Sequence, residues 1–289
     1  MNIVSDFMAD WSRIVLRALK AIDPQIDVTL SPQDLCFRFA NWDKRQIAPG
    51  RRTIKLSKEF RCPINRALGL RQLKEKIQRG VNLRPHLSTS VMNLNFDDGL
   101  LNDWGIYHLH LGTRPHRRNP AFVERTDEVV MARFDDTTAY LIDVGHHGDW
   151  AQQRLLEIVH NNWPETIAQY KMKGIRLGHN IADNDRAKLR KGGVQAFTEI
   201  GDTVYFSPGG GYSTSGLSTE VVTMCDRIVY TLRGYEQHLQ AHPEVVANAI
   251  GRSVDEAESV TLTMQTDFAT VWAVVEGSGQ TLRLGPLMS

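Results

Sequence analysis

Apolar residues recur along this chain at two spacings, and the switches between them outline its elements. Phe7, Trp11, Ile14, Val15, Ala18 and Ile22 fall at helical intervals, which predicts a helix capped by Ser5 and stopped at Asp23-Pro24. Ile26, Val28 and Leu30 alternate, as do Leu35, Phe37 and Phe39, and this predicts two short strands around Ser31-Pro32. Residues 43–62 are polar, basic and weakly patterned. A second helix, 65–79, then carries Leu70, Leu73 and Ile77 on one face, with Gly80 placed as its C-cap.

The middle of the chain reads as three strands, Ile106–Leu111, Val129–Phe134 and Ala139–Val144. The last two are joined through the short turn 135–138 and should form a hairpin. A longer basic loop, 113–128, separates the first two, and a helix around 155–159 ends before Trp163-Pro164. From 171 the texture changes. A basic connector, 171–191, leads to a hairpin, 194–200 with 203–206, turned at Gly201-Asp202. A glycine-rich loop, 208–216, then enters a helix over 218–241, and three alternating segments, 260–266, 269–275 and 281–284, predict a terminal antiparallel sheet. The regular strand–helix rhythm of a doubly wound fold is missing. The expected class is α+β, antiparallel sheets with flanking helices, in two domains, 1–170 and 171–289.

Composition narrows the setting. A chain of 289 residues that is 42% hydrophobic can bury a substantial core. Its three cysteines are far apart with no CxxC spacing, which argues against a thiolate zinc site or a disulfide framework. With no apolar run of membrane length and no signal-like N-terminus, the expected location is cytoplasmic. The net charge of +1 conceals strong segregation: residues 44–86 hold thirteen Lys/Arg against two Asp/Glu. Such a block reads either as a polyanion footprint or as a solvated face paired with acidic segments of the same chain.

Candidate chemistry concentrates at His108-Leu109-His110. On a strand the two imidazoles project to one face together with Ile106. Arg114, Arg117 and Arg118 follow in the loop, and His146, His147 and Asp149 lie one strand-pair later. If neighbouring strands pair, these groups meet at one sheet end. One neutral imidazole can then take a proton from a nucleophile while a protonated one supplies a proton to the leaving oxygen. Arginines such as Arg114 and Arg117 would stabilise charge developing on phosphorus. RNA suits this chemistry, because its 2′-hydroxyl is an internal nucleophile and no cofactor is required. The competing use is a divalent metal on His108 and His110, with Asp149, His146 or Glu124 as third ligand.

Arg51, Arg52, Arg66, Arg71, Lys74 and Arg118 are candidate phosphate contacts. Gly210 and Ser213, in the loop before the 218–241 helix, are candidate anion contacts at a helix N-terminus. The order of elements from 65 to 160, a basic helix 65–79 followed by the strands at 106, 129 and 139, resembles the RelE/ParE-like toxin fold. Basic residues and sometimes a histidine on the sheet carry RNA cleavage in that family. The resemblance therefore implies roles for His108, His110, Arg133, His146 and His147, and a toxin- or defence-related activity. The leading expectation is a nuclease-like phosphodiester-cleaving enzyme acting on RNA. The second is a non-catalytic adaptor or inhibitor whose basic face binds nucleic acid or an acidic protein partner. The third is a metal-dependent enzyme built on the His-x-His strand.

Overall fold

The structure is a computed structural model that describes residues 1–254 and 258–288. Its elements begin with β1 (Asn2–Ser5), α1 (Phe7–Lys20), α2 (Pro32–Lys44), β2 (Thr53–Leu56), α3 (Ala67–Arg79) and α4 (Gly99–Trp104). Then come β3 (Tyr107–His110), β4 (Glu128–Phe134), β5 (Thr138–His146), α5 (Arg154–Asn162), β6 (Lys171–Met172), α6 (Asp183–Lys191), β7 (Thr198–Ile200) and β8 (Thr203–Tyr205). The chain closes with α7 (Thr219–Ala241), α8 (Pro243–Ala249), β9 (Ser259–Thr266), β10 (Thr270–Val275) and β11 (Thr281–Pro286). Helices flank mixed and antiparallel sheets, so the class is α+β. The chain divides into two compact units, residues 1–40 with 221–289, and residues 41–220. Among the described residues no helix is long and apolar enough to cross a membrane.

In the first unit the expected terminal sheet is present and gains a strand, in the order β1-β9-β10-β11. β1 pairs in parallel with β9, and the other pairings are antiparallel. Because Ser5 is the last residue of β1, the cap of α1 falls to Asp6, whose side chain accepts from Ala9 N at 2.9 Å. Phe7, Trp11, Val15 and Leu19, four apart, are fully buried. Trp11 meets Phe39 and Phe268 edge-on at 5.6 and 5.7 Å between ring centroids.

The two strands expected around Ser31-Pro32 do not form. Asp27 closes a local turn by accepting from Thr29 N at 2.8 Å. Ser31 Oγ accepts from Asp34 N at 3.0 Å while donating to Asp34 Oδ2, a helix-start arrangement that commits 32–44 to α2. Leu35, Phe37 and Phe39 do alternate, but the buried set is Leu35, Cys36, Phe39 and Ala40, which is one helical face. All three cysteines are free.

The second unit is built on a sheet ordered β2-β5-β4-β3. β3 to β5 appear where alternation placed them, with β4 and β5 as a hairpin. β2, unforeseen in the weakly patterned stretch, pairs in parallel with β5. One face of the sheet packs Leu109, Leu111, Val130, Ala132 and Leu141 against Leu73 and Ile77 of α3. The other packs Val129, Met131, Tyr140 and Ile142 against Leu155, Leu156, Ile158 and Val159 of α5, with Trp104 and Ile106 in the same cluster. β6, β8 and β7 form a separate small sheet, and residues 171–220 thus belong to this unit. α3 ends as expected on Gly80, which takes the left-handed conformation at φ 72°.

Gly69 lets α3 lie against the end of β3. A Cβ built there would sit 2.0 Å from the Leu111 carbonyl oxygen, far inside contact distance. Gly69→Ala is therefore expected to destabilise the protein by about 1–3 kcal/mol despite its better helix propensity, as overpacking of a rigid contact does. Urea denaturation of the two proteins checks this; an Ala variant as stable as the parent would refute it.

Candidate functional site

β3 is the last strand of its sheet, and pairing with β4 fixes its side chains. His108 lies opposite Met131 and His110 opposite Val129. Since Leu109 and Leu111 point into the α3-side core, the intervening histidines take the α5 side, along with Ile106. His108 is 8% and His110 2% exposed. The third member comes from the turn after β5. His146 N donates to Asp149 Oδ2 at 2.9 Å, and Asp149 N donates to the His146 carbonyl. His147 N donates to the Asp127 carbonyl at 2.7 Å, and Gly148 supplies the positive φ of 115°. This turn carries His147 and Trp150 to the β3 pair. One ring nitrogen from each of His108, His110 and His147 lies within 4.8 Å of the others. Ring centroids are separated by 5.7–6.2 Å, and Trp150 covers His108 at 4.4 Å. His147 is exposed and gives the cluster its open side.

Neighbouring groups hold the rings. His110 Nδ1 lies 3.0 Å from Thr126 N and 3.1 Å from Thr126 O. Thr126 N donates to Nδ1, so Nδ1 is the ring nitrogen held by the backbone and Nε2 is directed away from Thr126. Thr126 also accepts from Leu111 N through Oγ1 at 3.0 Å and donates to the Glu128 carbonyl, so one residue ties strand and ring together. Behind His110, the fully buried His86 donates from Nδ1 to the His110 carbonyl at 2.7 Å. Its Nε2 accepts from Lys76 Nζ at 2.9 Å. Burial is the main force on these imidazoles. It pushes His110 down to about 3, helped by Arg125, His108 and His147. It lowers His108 against the opposing pull of Asp98, with His147 and Arg125 lowering it further. It takes His86 to about 4. Burial thus favours the neutral form of His86, His108 and His110.

Other expected residues are placed differently. His146 turns away, bonding Asp127 Oδ2 through Nδ1 at 2.8 Å on the exposed surface, a pairing that raises its pKa. Asp149, expected as a metal ligand, is instead consumed by the turn. Arg114, Arg117 and Arg118 are exposed. Arg117 lines a cleft of about 480 Å³ with Arg66, His116, Glu124, Arg125, Thr126 and Asp127, which shares Thr126 and Asp127 with the histidine cluster. Arg66 is bound to Glu128 at 2.8 Å, and the Arg125 guanidinium is committed to the carbonyls of Pro85, Leu87 and Val123. Arg133 donates to the Trp104 carbonyl. Arg52 is buried against the carbonyls of Ala48, Gly50 and Asp135.

The glycine-rich loop is spent internally. Gly209, Gly210 and Gly211 donate to the carbonyls of Asp103, Ser207 and Asn102, and the Ser213 hydroxyl meets that of Ser215. Arg51, Arg71 and Lys74 stand apart from the cluster on β2's flank and α3. Glu124 lines the cleft but does not join the three histidines. Thr126, His86, Asp98 and Trp150 escaped the sequence reading as site residues. Only Trp150, next to the His146-His147 pair, carried a usable signal.

No known protein family matches the chain. Neither a curated protein nor a solved structure shows significant similarity to it.

The buried neutral His86 has a consequence for acid stability. Its folded pKa, about 4, lies below the ordinary value of 6.5, so the unfolded chain takes up the proton first. The stabilisation it gives is complete above pH 6.5 and is lost as pH falls toward 4. His86→Gln keeps a donor for the His110 carbonyl but removes this titration. Denaturant unfolding between those pH values should therefore show a shallower pH slope in the variant, and an unchanged slope would contradict the assignment.

Proposed function

We propose that the protein is a metal-dependent hydrolase in which His108, His110 and His147 hold a divalent transition-metal ion, zinc being the best fit. One observation carries this reading: three imidazole nitrogens approach within 4.8 Å of one another at a partly open site. Neutral imidazoles are the ligands zinc takes, at about 2.0–2.1 Å. A tetrahedral site needs ligand nitrogens about 3.3 Å apart, so the rings must draw in, and the exposed His147 is the one with room to rotate. Three protein ligands with a free fourth position make the pattern of a catalytic site rather than a closed structural one. The ion would bring the pKa of a bound water to about 7 and polarise the bond under attack.

The protein's own groups suit these roles. The Thr126 backbone holds His110 through Nδ1, so Nε2 is the nitrogen that would face the ion. Trp150 shields His108 from solvent. The cleft beside Thr126 and Asp127, with Arg117 on its wall, offers a place for a negatively charged substrate. Metal-free acid–base cleavage of RNA is the weaker reading. It needs one protonated imidazole beside two others and Arg125, a like-charge crowding that disfavours the acid.

Metal analysis of purified, dialysed protein should return close to one equivalent of zinc or cobalt. His110→Ala and His147→Ala should each weaken binding at least about tenfold, the scale on which even outer-shell changes act. A cobalt-loaded sample should show the visible absorption of a four- or five-coordinate ion, and chelation should abolish hydrolysis of an activated phosphodiester or ester. Failure of the wild-type protein to take up metal, or unaltered uptake in both variants, would overturn the proposal.

A further inference from the structure

The basic block is not neutralised by folding. Of the thirteen Lys/Arg in 44–86, only Lys44 and Arg66 form ion pairs among the described residues, with Glu220 and Glu128. Several others are spent inside the protein. Arg45 and Arg52 bind buried carbonyls, Arg61 binds the Lys58 and Phe60 carbonyls, and Lys76 donates to His86. Arg84 contacts the Met92 sulfur. Lys55 lies over the Tyr140 ring on the α5 side of the sheet, and Lys58 N donates to Asn162 of α5. What remains is Arg51, Arg71 and Arg79, all exposed, and the half-buried Lys74. None of the four has a carboxylate partner among the described residues.

These four belong to one neighbourhood, because the chain entering β2 is joined to α3. Arg52 N donates to the Ile77 carbonyl, and Gly80 at the end of α3 abuts the backbone of Gly50 and Arg51. The block's two acids do not pair with these cations: Glu59 accepts from Asn162, and Glu75 forms no ion pair among the described residues. Unpaired cations held this close repel one another, and a partner that supplies ordered negative charge relieves the repulsion.

We propose that the β2–α3 surface binds the phosphate backbone of a nucleic-acid duplex. A duplex fits better than a single strand, because single-strand binders stack bases on exposed aromatic rings. Here Phe60, the aromatic residue within the basic stretch, is half-buried and packed on the α3-side core. Contacts made by Lys and Arg to phosphates position a duplex without reading its bases. The exposed Ile64 and Leu68 are too few to seat a helix in a lipid surface, where a whole apolar face is buried. That face of α3 is already occupied by the core, through Leu73 and Ile77. The inference stands independently of the metal centre.

Fluorescence anisotropy of the full chain with labelled RNA and DNA duplexes tests it. Duplex affinity should fall with salt along a log–log slope of about −4 if all four cations touch phosphates. Arg51→Glu with Arg71→Glu and Arg79→Glu should cut affinity at least tenfold and make the slope shallower by about 3. Arg227→Glu with Arg233→Glu, an exposed pair on α7, should bind as wild type. His147→Ala should also keep duplex binding while losing metal, which separates this proposal from the previous one. Should the triple variant fail to fold, Arg71→Glu and Arg79→Glu singly must each weaken binding. No duplex binding at low salt, wild-type affinity in the reversed variants, or tighter binding to single strands or anionic vesicles than to either duplex would overturn it. The two duplex arms decide whether RNA or DNA is preferred.

Discussion

The pairing of β3 with β4 is the constraint from which the rest of the site follows. It sets which residues of a four-residue strand look toward α3 and which toward α5, and the pleat leaves no intermediate choice. Leu109 and Leu111 enter one core. His108 and His110 are thereby carried to the other side, although neither would be placed in a hydrophobic environment by its own preference. A slip of one position would bury both imidazoles against α3 and turn the leucines to the α5 side. The register is held by its two apolar faces and by Thr126, which bonds both the His110 ring and the Leu111 amide. Packing energy drawn from ordinary aliphatic residues thus holds in place two side chains that are costly to bury.

A second network supports the far side of the cluster. The buried Asp103 pairs with Arg190 at 2.8 Å and accepts from Ser207. Arg190 lies over the Trp104 ring at 4.1 Å and donates to the Trp150 carbonyl. Trp150 in turn covers His108. α6, which lies in the stretch expected as a basic connector, therefore reaches the histidines through a salt bridge and a tryptophan. Arg186 is fully buried beside it, 3.9 Å from Asp103, with its nitrogens otherwise unsatisfied. A buried charge held this loosely adds little to stability; its stacking on Trp104 is the clearer contribution.

Much of this architecture was legible where local pattern and long-range packing agree. β3, β4 and β5 alternate because each side of their sheet has its own core, and α3 shows both its stripe and its glycine cap. The reading failed where two patterns coincide or none is present. Leu35, Phe37 and Phe39 satisfy a strand's alternation, yet Ser31 and Asp34 settle the matter for a helix through hydrogen bonds that a hydropathy pattern does not register. β1 and β2 are four-residue strands whose parallel partners are far away in sequence, so nothing nearby announces them. At the site, the two histidines of β3 were readable from spacing alone. The choice between His146 and His147 was not, since it depends on how one turn is closed. Asp149 spends its carboxylate on that turn, and His146 follows Asp127 outward. His86 and Thr126 act through backbone carbonyls and amides, which leave no mark on residue identity.

The three rings differ in how firmly they are held. His108 and His110 belong to a paired strand and move only if the sheet does, whereas His147 stands on a solvent-facing turn beside a glycine with nothing packed where its side chain would be. For an ion bound here, the two sheet ligands would govern how tightly it is retained and the turn ligand how quickly it comes and goes. The site would then divide equilibrium from kinetics between strand and loop, with the glycine after His147 on the loop side.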